Sequence, residues 1–268
     1  MQNVPLPFFS GCDTMKKTLW EELSVIPAFY ETLLRQLPDR ELRVERIVRG
    51  LAWTAAVLSN GQTGIAMHTP GETRPRMFPT LLGLPAGEAA RALLSWNLEE
   101  AGEGMAVANA CFNTEARIEA LGCRYTGSSL EGVELAGRRL GFVGHLLHHG
   151  GLTEELAARA ESYFILEREP KDGDYPDPAC ETLLPDCDVA VITGSACVNK
   201  TMPRLLELAK GAQIILTGPT VPLCPALLDL GIRRLNGSVV TDRDGLLEQI
   251  VRERCSPNAF SRHFTLGE

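Results

Sequence analysis

Between Lys16 and Leu37, apolar residues recur at Leu19, Leu23, Ile26, Tyr30, Leu33, Leu34 and Leu37. This is the spacing of an amphipathic helix, which Pro27 kinks or splits in two. From Arg43 the period shortens to two. Arg43–Arg49, Leu51–Leu58 and Thr63–His68 read as three strands, the last pair joined at Asn60-Gly61, a strong hairpin signal. An antiparallel meander with one polar face is the expectation. After a proline-rich loop at 69–85, helical patterns cover Gly87–Trp96 and Ala101–Gly122. The second is rich in small residues, and its Asn109 and Asn113, four apart, share a face.

Beyond the polar, glycine-containing stretch Cys123–Gly137 the pattern changes. Leu140–Gly144, Tyr163–Glu167, Val189–Thr193 and Gln213–Thr217 are short unbroken apolar runs, with Gly237–Thr241 as the last strand. Helical stretches alternate with them at Thr153–Glu161, Ala179–Leu184, after Asn199, at Ala226–Leu230 and at Asp244–Glu253. Strands without a polar face, alternating with helices, predict an α/β, doubly wound, Rossmann-like parallel sheet. Two domains follow, residues 15–124 and 125–268. Met15 reads as the natural start, with residues 1–14 as an extension.

Ligands of such sheets sit beyond the carboxyl ends of the strands. Several polar groups collect there. Thr193, Gly194 and Ser195 follow one central strand, with Asn199, Lys200 and Thr201 expected at the next helix N-terminus, which attracts anions. Gly218, Pro219 and Thr220 follow the neighbouring strand as a rigid loop. Glu167 closes the second strand, and Tyr175 and Asp177 follow it, placed to close over the same opening. Asn109 and Asn113 would approach from the first domain.

Gly194–Thr201, GSACVNKT, lacks the second glycine of a phosphate-binding P-loop because Asn199 stands in its place, so nucleotide hydrolysis is not expected. Gly141-Phe142-Val143-Gly144 likewise falls short of the dinucleotide fingerprint, although Glu167 sits near the position of its acid. His145, His148 and His149 put three imidazoles in one loop, a set able to hold a divalent transition metal as cofactor. The alternative is a solvated histidine-rich loop. Cys197 and Cys224 lie in the two central loops as thiolate ligands or, more ordinarily, as small buried hydrophobes.

Composition narrows the function classes. A net charge of −8 argues against a nucleic-acid or anionic-membrane partner. No apolar run approaches the roughly 18 residues of a membrane span, and the N-terminus lacks a signal-peptide pattern. Eight scattered cysteines without CxxC spacing fit free thiols in a reducing cytoplasm.

Seven stretches carry a family resemblance: GLAWTAAV (50–57), TGIAM (63–67), FPTLLG (78–83), NACFN (109–113), GFVGH (141–145), EREPKDGDYPDPACETLLPDCDVAVITGSACVNKT (167–201) and GPTVPLCP (218–225). Together they resemble the heavy-metal chelation family of prokaryotes. The resemblance implies an enolase N-terminal-like α+β domain, of helix, three-stranded meander and helices, followed by a Rossmann-like domain. It implies a cleft between them as the site, and a role with metals or metal-binding heteroaromatic compounds. The expectation is therefore a cytoplasmic protein, monomeric or a homo-oligomer, that binds a small anionic, metal-chelating or heteroaromatic ligand. The alternatives are a transferase or lyase acting on a pterin-like or nucleotide-like substrate, and an oligomeric scaffold whose cleft residues pair internally.

Overall fold

The computed structural model describes residues 26–70, 74–149, 151–252 and 257–268. The helix expected from Lys16 lies outside these residues up to Val25. Helix α1 (Ala28–Gln36) starts directly after Pro27. Three antiparallel strands follow in the order β1 (Val44–Arg49), β2 (Trp53–Leu58) and β3 (Thr63–Met67). A short helix α2 (Ala86–Ala89) runs into a 3-10 turn at Ala90–Leu94. Next come α3 (Leu98–Phe112) and α4 (Glu115–Ala120). The expected single helix over Ala101–Gly122 is thus two helices. Asn113 leaves helical backbone, and Thr114 caps α4 through the Arg117 amide.

Eight strands form the second sheet: β4 (Arg124–Tyr125), β5 (Arg139–Val143), β6 (Ser162–Glu167), β7 (Tyr175–Pro176), β8 (Val189–Thr193), β9 (Gln213–Thr217), β10 (Ile232–Val240) and β11 (Ser261–Gly267). Their order is β4-β11-β10-β9-β8-β5-β6-β7, parallel from β10 to β7 and antiparallel at β10–β11–β4. The connecting helices are α5 (Glu154–Ala157), α6 (Cys180–Leu183), α7 (Ser195–Val198), α8 (Met202–Leu208) and α9 (Arg243–Val251). The protein is α/β, with a three-stranded antiparallel sheet followed by a mostly parallel, doubly wound one.

The unbroken apolar runs have the expected cause, since both faces of the parallel sheet are covered. Leu140, Phe142, Val189, Val191 and Ile215 face one apolar cluster, shared with Leu130, Leu147 and Leu152. Val143, Ala190, Ile192, Ile214 and Leu216 face the other, which continues without a break into Tyr30, Leu33, Met105 and Phe112. One core therefore joins the two sheets.

Two expectations need correction. The meander lacks the expected polar face at its centre: Thr54–Leu58 of β2 are all buried. Leu246, Leu247 and Ile250 of α9 cover the face carrying Ala55, Val57 and Ile65. The last strand is also not Gly237–Thr241. β10 begins five residues earlier, at Ile232, and β11 returns antiparallel beside it.

Candidate functional site

The chain lays β6 to one side of β5 and returns with β8 on the other, so the order reverses between β5 and β8. A crevice opens at such a switch point, beyond the carboxyl ends of both strands. Gly144 directly follows β5 at φ +97°, and a Cβ there would stand 3.1 Å from both Cβ and Cγ2 of Thr193. Only glycine allows the two loops this close. The Thr193 and Ser195 hydroxyls lie 3.1 Å apart in the same place.

His145 follows Gly144 and is held at two points. Its backbone amide donates to Glu167 Oε2 at 2.7 Å, while the Arg168 amide donates to Oε1 at 2.7 Å. Glu167 thus serves to fix the loop. The ring Nδ1 of His145 lies 3.1 Å from Asp174 Oδ2, and that carboxylate also accepts the Lys171 amide. Asp174 is nearly enclosed at 3% side-chain exposure, whereas His145 is 26% exposed. An ionised carboxylate accepts from Nδ1–H, and the neutral tautomer that carries its proton there has Nε2 as an acceptor. Among the described residues Nε2 has no hydrogen-bond partner.

The other two imidazoles do not join it. His148, at φ +69°, stands 3.6 Å from Glu154 with both side chains exposed, and His149 is exposed. Among the described residues no three histidine, cysteine or acidic side chains are grouped to hold a metal ion. Tyr175 is 48% exposed, and Asp177 lies 3.9 Å from Arg168.

A second set of the expected residues joins the two sheets instead of lining open space. Asn109 Nδ2 donates to the carbonyls of Ile65 and Thr220. Asn113 Nδ2 donates to those of Val221 and Ser238, while its Oδ1 accepts the Leu223 amide at 2.8 Å. Thr220 Oγ1 accepts the Met67 amide. Gly194 is needed because a Cβ would meet Val221 at 2.9 Å; Gly218, at φ +114°, has open space around it. Pro219 is half-buried beside it.

The helix end expected at Asn199–Thr201 is also spoken for. Asn199 Oδ1 accepts both the amide and the hydroxyl of Thr201, and α8 starts only at Met202. Lys200 sits at φ +71°, with its ammonium bonded to the Leu93 carbonyl and 5.3 Å from the centre of the Tyr30 ring. Burial lowers its pKa to about 7, opposed by nearby Cys197 and Glu100. Tyr30 donates to the Cys197 carbonyl, and burial pushes the Cys197 thiol up to about 12. Cys224 is likewise buried and raised by burial. Neither cysteine is a ready thiolate.

Sequence reasoning passed over two buried acids on α3. Glu103 takes Arg49 at 2.5 Å and Arg76 through both oxygens, at 3.1 and 2.5 Å. Glu100 accepts the amides of Met77 and Phe78 at 2.7 and 2.8 Å. They pin the proline-rich loop to the helix. Their one signal, acids clustered at a helix start, equally describes an exposed first turn.

Comparison with known proteins places the chain. Two family models, both described as "putative heavy-metal chelation", match residues 30–112 and 130–266. The chain belongs to this family. It is similar to the crystal structure of a DUF364-family protein of unknown function from Desulfitobacterium hafniense DCB-2. That likeness has 31% identity and a TM-score of 0.78, covering 94% of this chain and 100% of the other. A second DUF364 protein of unknown function, from Pyrococcus horikoshii, shares the fold at 20% identity. Its TM-score is 0.72, over 89% and 98% of the two chains. An uncharacterized protein from Methanocaldococcus jannaschii is 29% identical over 117 residues, 41% of this chain but only 44% of that relative's length. Among the described residues no helix is long and apolar enough to cross a membrane.

Proposed function

We propose that this member of the heavy-metal chelation family binds a transition metal carried by a small chelating molecule, at the switch point between β5 and β8. His145 Nε2 makes the contact to the metal. The observation that carries this reading is the His145–Asp174 pair: a nearly enclosed carboxylate holding one ring nitrogen while the other has no partner among the described residues. Metal-ligating histidines are oriented in this way, because the carboxylate fixes the tautomer and raises the basicity of the ligating nitrogen. Thr193 and Ser195 supply hydroxyls for the polar edge of the chelator.

A single imidazole does not make a metal site. With no grouped set of protein ligands among the described residues, a bound ion keeps donors of its own, which favours a chelate over a bare ion. In this reading residues 15–124 and 125–268 act as two domains, the first buttressing the loops through Asn109 and Asn113, and the six unbridged cysteines among the described residues suit a cytoplasmic setting.

The test is calorimetric titration of the protein with a nickel chelate that leaves coordination positions open, compared with the metal-free chelator. His145→Ala should lose at least tenfold in affinity for the metal-loaded form and little for the metal-free form. Equal binding of the nickel chelate by both proteins would end the proposal.

A second reading, an enzyme acting on a pterin-like or nucleotide-like substrate, rests on Lys200. An amine brought near neutrality by burial, on strained backbone, has the character of a catalytic base. Its bond to Leu93 must open before it can act.

A further inference from the structure

A cavity of about 190 Å³ lies at the far, antiparallel end of the large sheet, between β4, β10, β11 and the turn at Thr126–Gly132. It holds several times the roughly 30 Å³ of a water molecule. The sheet register builds one wall. Arg124 pairs with Thr265, and Thr265 with Asn236, so three side chains from adjacent strands stand abreast. Arg234, two residues before Asn236, shares that face.

The donors here are under-used. Arg234 is only 6% exposed, and its Nη1 donates to the Ser129 and Glu131 carbonyls, yet among the described residues its buried Nε has no partner. Behind the wall, Asn236 accepts the Thr265 hydroxyl through Oδ1, and among the described residues its buried Nδ2 and the buried Ser129 hydroxyl have no partner. Buried polar groups are rarely left in this state, because each costs the desolvation it does not recover.

Charge points the same way. Arg124 and Arg234 both line the cavity, and the single acid on its wall, Glu131, is engaged by the Thr126 hydroxyl and the Gly127 amide. The neighbouring Arg233 is paired with Glu268. Burial and the adjacent Arg124 lower the Arg234 pKa, as expected for a cation short of counter-charge.

We infer that this cavity is a second binding site, for a small oxyanion of the phosphate type, held between the Arg234 and Arg124 guanidinium groups that line it. Two guanidinium forks match the planar edges of such an anion. The site is remote in the sheet order from the β5–β8 crevice and does not depend on it.

The experiment titrates inorganic phosphate into the full chain at constant ionic strength, with sodium chloride as control. Arginine Nε–H resonances and the melting temperature are followed together. A saturable shift of the Arg234 Nε–H signal, a rise in Tm with phosphate and at least tenfold weaker binding in Arg124→Ala are expected. His145→Ala should respond as the parent does. Arg124 is exposed on a two-residue edge strand, so its loss should leave the fold intact; Arg234→Gln, whose folding is checked by its melt, should abolish the response. No saturable response, an equal response to chloride, or an unchanged affinity in Arg124→Ala would each overturn the inference.

Discussion

The seam between the two sheets and the crevice at the switch point are made from the same kind of residue, polar side chains at strand ends and on one helix face, and they end in opposite states. At the seam, Asn113 meets two carbonyls and an amide, Thr220 meets the Met67 amide, and Lys200 meets a carbonyl and a ring face. At the crevice, His145 is satisfied on one nitrogen only, and Thr193 and Ser195 pair chiefly with each other. A polar residue held on one side and left open on the other is oriented for something outside the chain. One held on every side maintains the fold. Position at a strand end does not distinguish the two; access to the remaining valence does, since Asn109 Oδ1, without a partner among the described residues, is buried whereas the His145 side chain is 26% exposed.

The largest way to break this contrast is at the buried supports. Glu103→Ala leaves the Arg49 and Arg76 cations without their shared carboxylate, and should cost roughly 3–5 kcal/mol of stability in denaturant unfolding. Asn113→Ala strands two carbonyls and one amide in the seam and should cost roughly 2–4 kcal/mol. Asn113→Ala unfolding like the parent would mean the seam is not what ties the sheets together, and Glu103→Ala doing so would mean its carboxylate does not hold the proline-rich loop to α3.

Lys200 sharpens the comparison through pH. Its pKa falls from 10.5 unfolded to about 7 folded, so between those values the unfolded chain binds more protons. Stability should therefore rise with pH across that window, by at most about 1.4 kcal/mol per unit. The penalty for burying the ammonium is fully present below about pH 7. Lys200→Met should flatten the slope; a Lys200→Met profile parallel to the parent's would remove the lysine from the seam's energetics.

Smaller still in stability, but decisive for the crevice, is Asp174→Asn. It should weaken binding of the nickel chelate by roughly 10–100-fold, as loss of the carboxylate behind a ligating histidine does. The accompanying stability change should stay within about 1 kcal/mol, because asparagine keeps an acceptor oxygen at the enclosed position and the His145 ring is already partly exposed. A large loss of stability with unchanged affinity would reassign the pair to the fold.

Much of the fold was legible because the parallel strands advertise themselves. Val189–Thr193 and Gln213–Thr217 are buried on both faces, and their residues say so without context. β11 was not legible, since Ser261–Gly267 mixes polar and aromatic residues and takes its strand character from pairing with β10 and β4. The start of β10 was hidden by Arg233 and Arg234, which break the apolar run although Arg234 points inward to a cavity. The meander's second face was misread because its cover, α9, arrives nearly 180 residues later in the chain.

The sites follow the same logic. His145 could be singled out by residue type, but the carboxylate that orients it is 29 residues away in a loop of prolines and aspartates. The shared face of Asn109 and Asn113 was evident from their spacing. That the face presses on the Thr220–Leu223 backbone, and not on a ligand, depends on how the two sheets dock. Burial of long-range partners is what sequence spacing leaves open.

The most direct measurement is the ring ¹⁵N spectrum of His145 before and after addition of the nickel-free and metal-loaded chelator, with zinc as the diamagnetic ion. The account predicts a ring that keeps its Nδ1 proton beside Asp174 and whose Nε2 signal alone shifts strongly when the zinc chelate binds. The same addition should leave the Asn109 and Asn113 side-chain amide signals in place. An Nε2 resonance indifferent to the zinc chelate, or amide signals from the seam that move in its stead, would contradict it.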